Sequence, residues 1–150
     1  MTMTTETYTD LESPAYVQTK LEEFDDAVSR YADARRRVEE LKAQVTNAKL
    51  GMEYREAEIL VNDGSPEVSI NGSNKEKRDA QLKLACESDN TWRTQLARQV
   101  MLQSQLTQEE VDLESASHQM RGARLAIEAS IAFVTRSAAQ ESLRGFANRT

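Results

Sequence analysis

Residues 62–74, NDGSPEVSINGSN, separate two long segments that both have the periodicity of helices. This stretch contains two clusters of turn formers, Asn62–Pro66 and Asn71–Gly72, and such clusters disfavour the continuation of a helix. Between them, residues 68–70 have strand-forming side chains but are too few to form a sheet alone. The stretch therefore predicts that the chain turns between two helices.

Before the turn, an apolar or aromatic residue recurs at every seventh position. This first ladder consists of Val17, Phe24, Tyr31, Val38, Val45, Met52 and Ile59. Such a repeat is typical of the contact face, or seam, of a coiled coil. Up to Tyr31 the second row of the seam, Leu21 and Val28, follows the ladder by four residues; afterwards Ala34, Leu41 and Ala48 follow it by three. This change predicts a shift of the seam near Tyr31.

A second ladder follows the turn, with one polar position. It consists of Ala85, Trp92, Gln99, Leu106, Leu113, Met120, Ile127 and Val134. Two ladders joined by a turn predict an all-α fold, a long antiparallel helical hairpin or coiled coil with a short connecting helix.

Capping residues set the expected boundaries. A flexible arm at 1–13 precedes a single hairpin domain at 14–146, and a tail at 147–150 follows it. Within the domain we expect a helix over about 14–61 that opens at Ser13-Pro14, a turn region at 62–73 and a short helix over about 74–87. A long helix over about 91–144 follows and ends at Gly145. The alternative is one unbroken helix from 74 to 146, if residues 88–91 do not interrupt it.

Further apolar residues lie outside both ladders, and two helices cannot cover both sets. They are Leu50, Tyr54, Leu60, Val61, Val100, Met101, Val111, Leu125 and Phe133. A third and a fourth helix would cover them. We therefore expect a homo-oligomeric helical bundle, most simply a dimer with four helices.

Composition narrows the class of protein. The chain has 150 residues, a net charge of −6, 39% apolar residues, one histidine and one cysteine. One histidine disfavours most acid–base and metal schemes, and a lone Cys86 excludes an internal disulfide. The N-terminus lacks the apolar core of a signal peptide, and no apolar run is long enough to cross a membrane. We expect a cytoplasmic, non-enzymatic protein without membrane contact, cofactor or metal.

The start of the short helix has the character of a binding site. A glycine turn that leads into a helix presents backbone N–H groups to anions, and nearby cations add to the attraction. Candidate residues for a small anionic ligand are Gly72, Asn74, Lys75 and Arg78. The alternative is a capped helix start with solvated charges. The segment lacks the Gly-Lys-Ser/Thr core of a phosphate-binding loop.

The segment Ile70–Leu82, INGSNKEKRDAQL, resembles the GKN-x-x-x-R-x-A-Q-L box of small coiled-coil proteins encoded by bacteriophages. The matching residues are Gly72, Asn74, Arg78, Ala80, Gln81 and Leu82, whereas Ser73 stands where the family has lysine. In those proteins, too, a long helix precedes the box and another begins shortly after an Asn/Asp cap. The resemblance implies a phage protein in the host cytoplasm and carries no activity with it.

Two other sets of charged residues are weaker candidates. Arg121 and Arg124 belong to a sparse basic set suited to contacts with a nucleic-acid backbone. Glu114 and His118, four residues apart, would supply only half of a metal site.

The sequence thus favours an oligomeric phage structural or accessory protein that contacts itself and a host or phage protein. The alternatives are an inhibitor of a host defence or recombination nuclease, an accessory nucleic-acid binder and a binder of a small anionic ligand.

Overall fold

The computed structural model describes residues 14–147, and three helices account for most of them. Helix α1 spans Pro14–Val61, α2 spans Lys75–Ser88 and α3 spans Asn90–Ala147. The all-α prediction is confirmed, with α1 packed against α3 and α2 as the short connecting helix. The expected arm at 1–13, with its Ser13 cap, and residues 148–150 of the expected tail lie outside the described residues.

The described residues divide into two compact units, residues 14–35 with 111–147, and residues 36–110. In the second unit, α1 and α3 run in opposite directions. Arg37 on α1 binds Glu109 on α3 at 2.8 Å, while Arg55, farther along α1, binds Asp89, the residue that precedes α3. The side chains buried along these helices are Val38, Val45, Ala48, Ile59, Leu102 and Leu106.

The first unit has an interior of small residues. Its buried side chains are Ala27, Ala34, Ala116 and Ser130. The ladder residues Phe24, Tyr31, Leu113, Met120 and Ile127 are half-buried beside them. A buried serine needs an acceptor, and the Ser130 hydroxyl donates to the Ala126 carbonyl at 2.9 Å.

The predicted shift of the seam near Tyr31 is wrong. Ala27 and Ala34 are buried, whereas Leu21 and Val28 are exposed. The buried second row therefore follows the ladder by three residues on both sides of Tyr31. An unchanged alternation of three and four residues keeps one face of α1 against α3. The larger side chains of Leu21 and Val28 therefore lie on the surface.

The last position of the second ladder also lies outside the buried face. Val134 is 46% exposed, whereas Phe133 beside it is half-buried. Within the first unit α3 contributes residues 111–147 and α1 only residues 14–35, so the end of α3 extends beyond the turns that α1 can cover in the described residues. Gly145 does not end α3, which continues to Ala147.

The end of α1 is closed by two backbone hydrogen bonds. The N–H of Gly64 donates to the Ile59 carbonyl at 2.9 Å, and the N–H of Asp63 donates to the Leu60 carbonyl at 3.3 Å. This is a Schellman motif, with Asp63 in the left-handed conformation at φ 54°. At φ 128°, Gly64 has a conformation that side chains rarely adopt. The turn formers at the end of α1 thus stop the helix through this Schellman motif.

Residues 63–70 then form a minimal hairpin. Gly64 and Ser69 make an isolated antiparallel bridge, and the Ile70 N–H donates to the Asp63 carbonyl at 2.7 Å. Because this hairpin folds back, Ile70 is buried against the end of α1.

A single residue, Asp89, separates α2 from α3. Its backbone is extended, and its N–H closes α2 by donating to the carbonyls of Ala85 and Cys86. Its carboxylate accepts from the Trp92 N–H at 2.7 Å and so caps α3. The unbroken helix from 74 to 146 does not occur.

Candidate functional site

The turn between α1 and α3 is held by a small apolar cluster, here named the turn core. It contains Ile59, Ile70, Ala85 and Cys86, with Val68, Leu82 and Trp92 packed against it. These residues come from α1, the minimal hairpin, α2 and α3. They lie far apart in the sequence and come into contact in the turn core.

Beside the turn core, Arg55 makes a two-point contact with Asp89. Nη2 lies 2.6 Å from Oδ2, and Nε lies 3.1 Å from Oδ1. Asp89 is 8% exposed, so its charge is largely withdrawn from water and is compensated by this guanidinium. The hydrogen bond from Arg55 lowers the pKa of Asp89 to about 2, and the Trp92 N–H adds to the effect. Glu58, at 2.8 Å, is a further carboxylate on Arg55.

The residues of the predicted anion site lie together at the start of α2, but their own side chains use several of the backbone donors. The Asn74 carboxamide accepts from the Lys77 N–H at 2.9 Å. The Gln81 carboxamide accepts from the N–H groups of Asn71 at 3.1 Å and Gly72 at 2.8 Å. Gln81 also donates to the Asn71 side chain at 3.0 Å.

Position 72 requires glycine because the loop passes close to α2 at this point. A β-carbon on this residue would lie 2.8 Å from the Lys77 Cβ and 2.9 Å from the Arg78 backbone nitrogen. Four residues of the box therefore have contacts that shape the turn: Gly72 packs on α2, Asn74 caps it, Gln81 binds the preceding loop and Leu82 packs on the turn core. Arg78 and Ala80 are exposed.

The cationic part of the predicted site remains on the surface. Lys75 and Arg78 are exposed and line one groove with Gly72 and Asn74. Leu60 and Leu82 form the apolar side of this groove, and Asp79 adds a carboxylate. The groove offers two positive charges to a ligand, with fewer free backbone donors than the sequence suggested.

A second groove on the same unit exposes the outer side of the turn core. Leu82, Cys86 and Trp92 form its floor, and its rim carries three acids and one lysine: Glu56, Asp79, Glu87 and Lys83. Burial raises the pKa of the Cys86 thiol, and the nearby acids add to the shift. A thiol with a raised pKa forms less thiolate, which makes Cys86 a packing residue and a poor nucleophile.

The predicted nucleic-acid contacts, Arg121 and Arg124, are exposed on α3. Arg124 binds Glu128 at 2.8 Å, which offsets part of its charge. The spacing of three residues places the two arginines on neighbouring positions of one helix surface.

Glu114 and His118 are exposed, with 3.6 Å between carboxylate and imidazole. Among the described residues, no group of three or more His, Cys, Asp or Glu side chains is arranged to hold a metal ion.

The fold leaves many large apolar side chains exposed among the described residues. Tyr54 is 74% exposed, Val61 81% and Phe146 73%. The other large ones are Leu21, Val28, Leu50, Leu60, Leu84, Val100, Met101, Val111, Leu125, Ile131, Val134 and Leu143. Phe133, which the sequence placed in this set, is half-buried.

Sequence reasoning did not predict the contacts of two residues that organise the turn, although it interpreted Arg55 as the point where the seam ends or opens and included Gln81 in the box. Arg55 interrupts the apolar second row of α1, and a charged residue at an inward position was the signal for a buried partner. Gln81 gave no such signal, because its binding to the loop depends on how the hairpin folds back.

No known protein family, curated protein or solved structure matches this chain. Within the described residues, no helix is long and apolar enough to span a bilayer.

Proposed function

We propose that this protein is a non-enzymatic, self-associating helical protein that acts through protein–protein contacts. The observation that carries the proposal is the set of large apolar side chains left exposed on α1 and α3, above all Tyr54, Val61 and Phe146. Covering such side chains removes apolar surface from water, which favours association by about 25 cal/mol per Å². A four-helix assembly of two copies is the simplest arrangement that covers them.

The resemblance of the box to phage coiled-coil proteins supports a phage structural or accessory role in the host cytoplasm. Residues Gly72, Asn74, Gln81 and Leu82 shape the turn, so a shared box implies a shared way of joining two helices. On this proposal the box is a folding element, and the exposed faces of α1 and α3 carry the contacts.

Light scattering on the purified protein, over a range of protein concentrations and at low and high salt, tests the proposal. We expect the mass of a dimer or a larger assembly, and little weakening at high salt because apolar contacts dominate. A monomeric mass at every concentration would contradict self-association. The apolar side chains would then be assigned to another protein.

The groove at the start of α2 supports a second candidate function, the binding of a small anion. Lys75 and Arg78 line it together. Titration with inorganic phosphate and a panel of nucleotides should then raise the melting temperature, because a ligand that binds only the folded state stabilises it. Lys75→Glu combined with Arg78→Glu should abolish that rise. No rise with the wild-type protein would exclude this candidate.

The remaining alternatives make different demands on the charged surface. A nuclease inhibitor that imitates DNA needs rows of acids on an outer face, and the exposed Arg121 and Arg124 interrupt such a row on α3. An accessory nucleic-acid binder would shift the mobility of DNA at low salt, and the shift would fall steeply with added salt. Reversal of charge at both arginines separates this outcome from self-association.

A further inference from the structure

The loop before α2 contains Asn71-Gly72, the only Asn-Gly pair in the sequence. An asparagine side chain cyclises onto the following backbone nitrogen most readily when that residue is glycine, because glycine has no side chain to hinder the close approach. Asn71 is exposed, so water reaches its carboxamide. This pair therefore has the composition and the solvent access of a site for spontaneous chemical modification.

The reaction open to this pair is the loss of ammonia from Asn71. The Gly72 nitrogen gives its proton to water or to a buffer base and forms a bond with the Asn71 Cγ. The bond between Cγ and Nδ2 then breaks, and the nitrogen leaves as ammonia. Water opens the resulting succinimide at either carbonyl, which gives aspartate or isoaspartate. No oxidant, reductant or cofactor takes part, and the chain gains one negative charge.

Gln81 holds the reacting groups in an arrangement that opposes this cyclisation. Its Oε1 accepts from the N–H of Asn71 at 3.1 Å and of Gly72 at 2.8 Å, and its Nε2 donates to the Asn71 Oδ1 at 3.0 Å. Two successive N–H groups reach one acceptor only when both point to the same side of the backbone. Cyclisation needs the Gly72 nitrogen on the side of the Asn71 side chain. The Cα–C bond of Asn71 must therefore rotate, and the hydrogen bonds to Gln81 must break first.

The backbone on both sides of the pair is anchored as well. Ile70 is buried in the turn core, and its N–H donates to the Asp63 carbonyl at 2.7 Å. Gly72 lies so close to α2 that a β-carbon there would meet the Lys77 Cβ at 2.8 Å. Rotation at Asn71 therefore requires the loop to lift from α2, and the three hydrogen bonds of Gln81 are what holds the loop there.

We propose that Asn71 is a deamidation site that the folded turn keeps closed, with Gln81 as the residue that sets its rate. The inference depends neither on self-association nor on anion binding. Each opening of the loop exposes the pair to cyclisation, and the product is permanent. Isoaspartate also lengthens the backbone by one atom, which the close fit of Gly72 on α2 does not accommodate. A transient opening of the turn is thus converted into a lasting change of its structure.

Incubation of the intact protein in mildly alkaline buffer, followed by peptide mass spectrometry, measures the rate of deamidation at Asn71. The wild type in denaturant gives the rate of the unrestrained pair, and the folded wild type should be far slower. Gln81→Ala removes all three hydrogen bonds, so we expect its rate to exceed that of the folded wild type by at least about tenfold. Chromatography of the peptides separates the aspartate product from the isoaspartate product.

Gln81→Glu separates the two ends of the carboxamide. Glutamate keeps an oxygen that accepts from both N–H groups, but it loses the donor to the Asn71 Oδ1. Because the N–H contacts set the backbone arrangement, its rate should stay within about threefold of the wild-type value. A rate equal to that of Gln81→Ala would overturn the restraint through the N–H groups.

Leu106→Ala is the control for a general loss of stability. Leu106 is buried in the seam and lies outside the turn core, so this variant weakens the fold without touching the loop. Circular dichroism verifies that each variant is folded during the incubation, and we expect Leu106→Ala to keep the wild-type rate.

Three results would overturn the proposal. A folded wild type that deamidates as fast as the denatured chain would show that the turn gives no protection. Equal rates for the wild type and Gln81→Ala would remove Gln81 from the explanation. A rate in Leu106→Ala as high as in Gln81→Ala would assign the protection to global stability.

Discussion

Arg55 on α1 binds both carboxylate oxygens of Asp89, the one residue between α2 and α3, at 2.6 and 3.1 Å. The same carboxylate caps α3, and the same residue's N–H closes α2. One side chain of α1 thus binds the residue that joins the two later helices.

Replacing Asp89 with alanine should destabilise the fold. The loss of the α3 cap alone costs about 1–2 kcal/mol, and Arg55 also loses its two-point partner. Chemical denaturation followed by circular dichroism gives the free energy of unfolding. Glu58→Gln is the matched control, because it removes the exposed partner of Arg55 and leaves Asp89 in place. Equal stability of the wild type and Asp89→Ala would contradict this role of the joint.

The charge of Asp89 should contribute a component of stability that acid removes. The pKa of Asp89 is lowered to about 2 in the folded chain, below the value of about 3.9 that aspartate has in an unfolded one. The contribution is therefore complete above about pH 4 and is lost as the pH falls toward about 2.

Asp89→Asn isolates this effect, because asparagine also caps helices but carries no charge. The stability difference between the wild type and Asp89→Asn should be constant near neutral pH and shrink below about pH 4. Denaturant unfolding of both proteins over this range measures it, and a difference that persists unchanged to about pH 2 would contradict the assigned pKa.

Gly72→Ala should destabilise the turn, because the new β-carbon would lie 2.8 Å from the Lys77 Cβ and 2.9 Å from the Arg78 backbone nitrogen. Gly51→Ala provides the contrast within α1. There the nearest atom is the end of the Gln95 side chain at 3.5 Å, and alanine should gain about 0.5–1 kcal/mol of helix propensity. Thermal unfolding should therefore shift in opposite directions, and a shared direction would refute the steric argument.

Gln81→Ala should destabilise the turn by about 1 kcal/mol, because the N–H groups of Asn71 and Gly72 lose their acceptor. Lys75→Ala combined with Arg78→Ala should leave the unfolding free energy nearly unchanged, since both side chains are exposed. A larger loss of unfolding free energy in the Lys75→Ala, Arg78→Ala double variant than in Gln81→Ala would contradict the role of the box as a folding element.

Cys86 should report on the turn core. Its thiol is buried and its pKa is raised, so a thiol reagent should modify the folded protein far more slowly than the unfolded one. Ile70→Ala should increase the rate in the folded state because it removes a neighbour from the turn core. Labelling followed by mass spectrometry gives the rates. Fast labelling of the folded wild type would contradict this packing.

The ladders and the turn formers were enough to predict three helices and a turn. Seven-residue spacing and capping chemistry are local properties, and the chain contains few signals against them. The prediction from this spacing was wrong for Leu21 and Val28. Both residues follow a ladder position by four, which is as compatible with a seam as the spacing of three that Ala27 and Ala34 have. Only the packing of α1 on α3 distinguishes the two.

The anion site shows a similar division. The sequence identified Gly72, Asn74, Lys75 and Arg78 as neighbours, and they line one groove. It could not predict that Gln81 occupies the loop N–H groups, since that contact forms only when the loop folds onto α2.

By itself, the sequence determined the helical character of the chain, the position of the turn and the presence of more apolar side chains than one seam can bury, because periodicity and capping act within a few residues. The tertiary structure decided which apolar rows are covered, that Arg55 binds Asp89, and that Tyr54, Val61 and Phe146 remain exposed. Those outcomes depend on residues far apart in the sequence, whose contacts are set by how the helices pack.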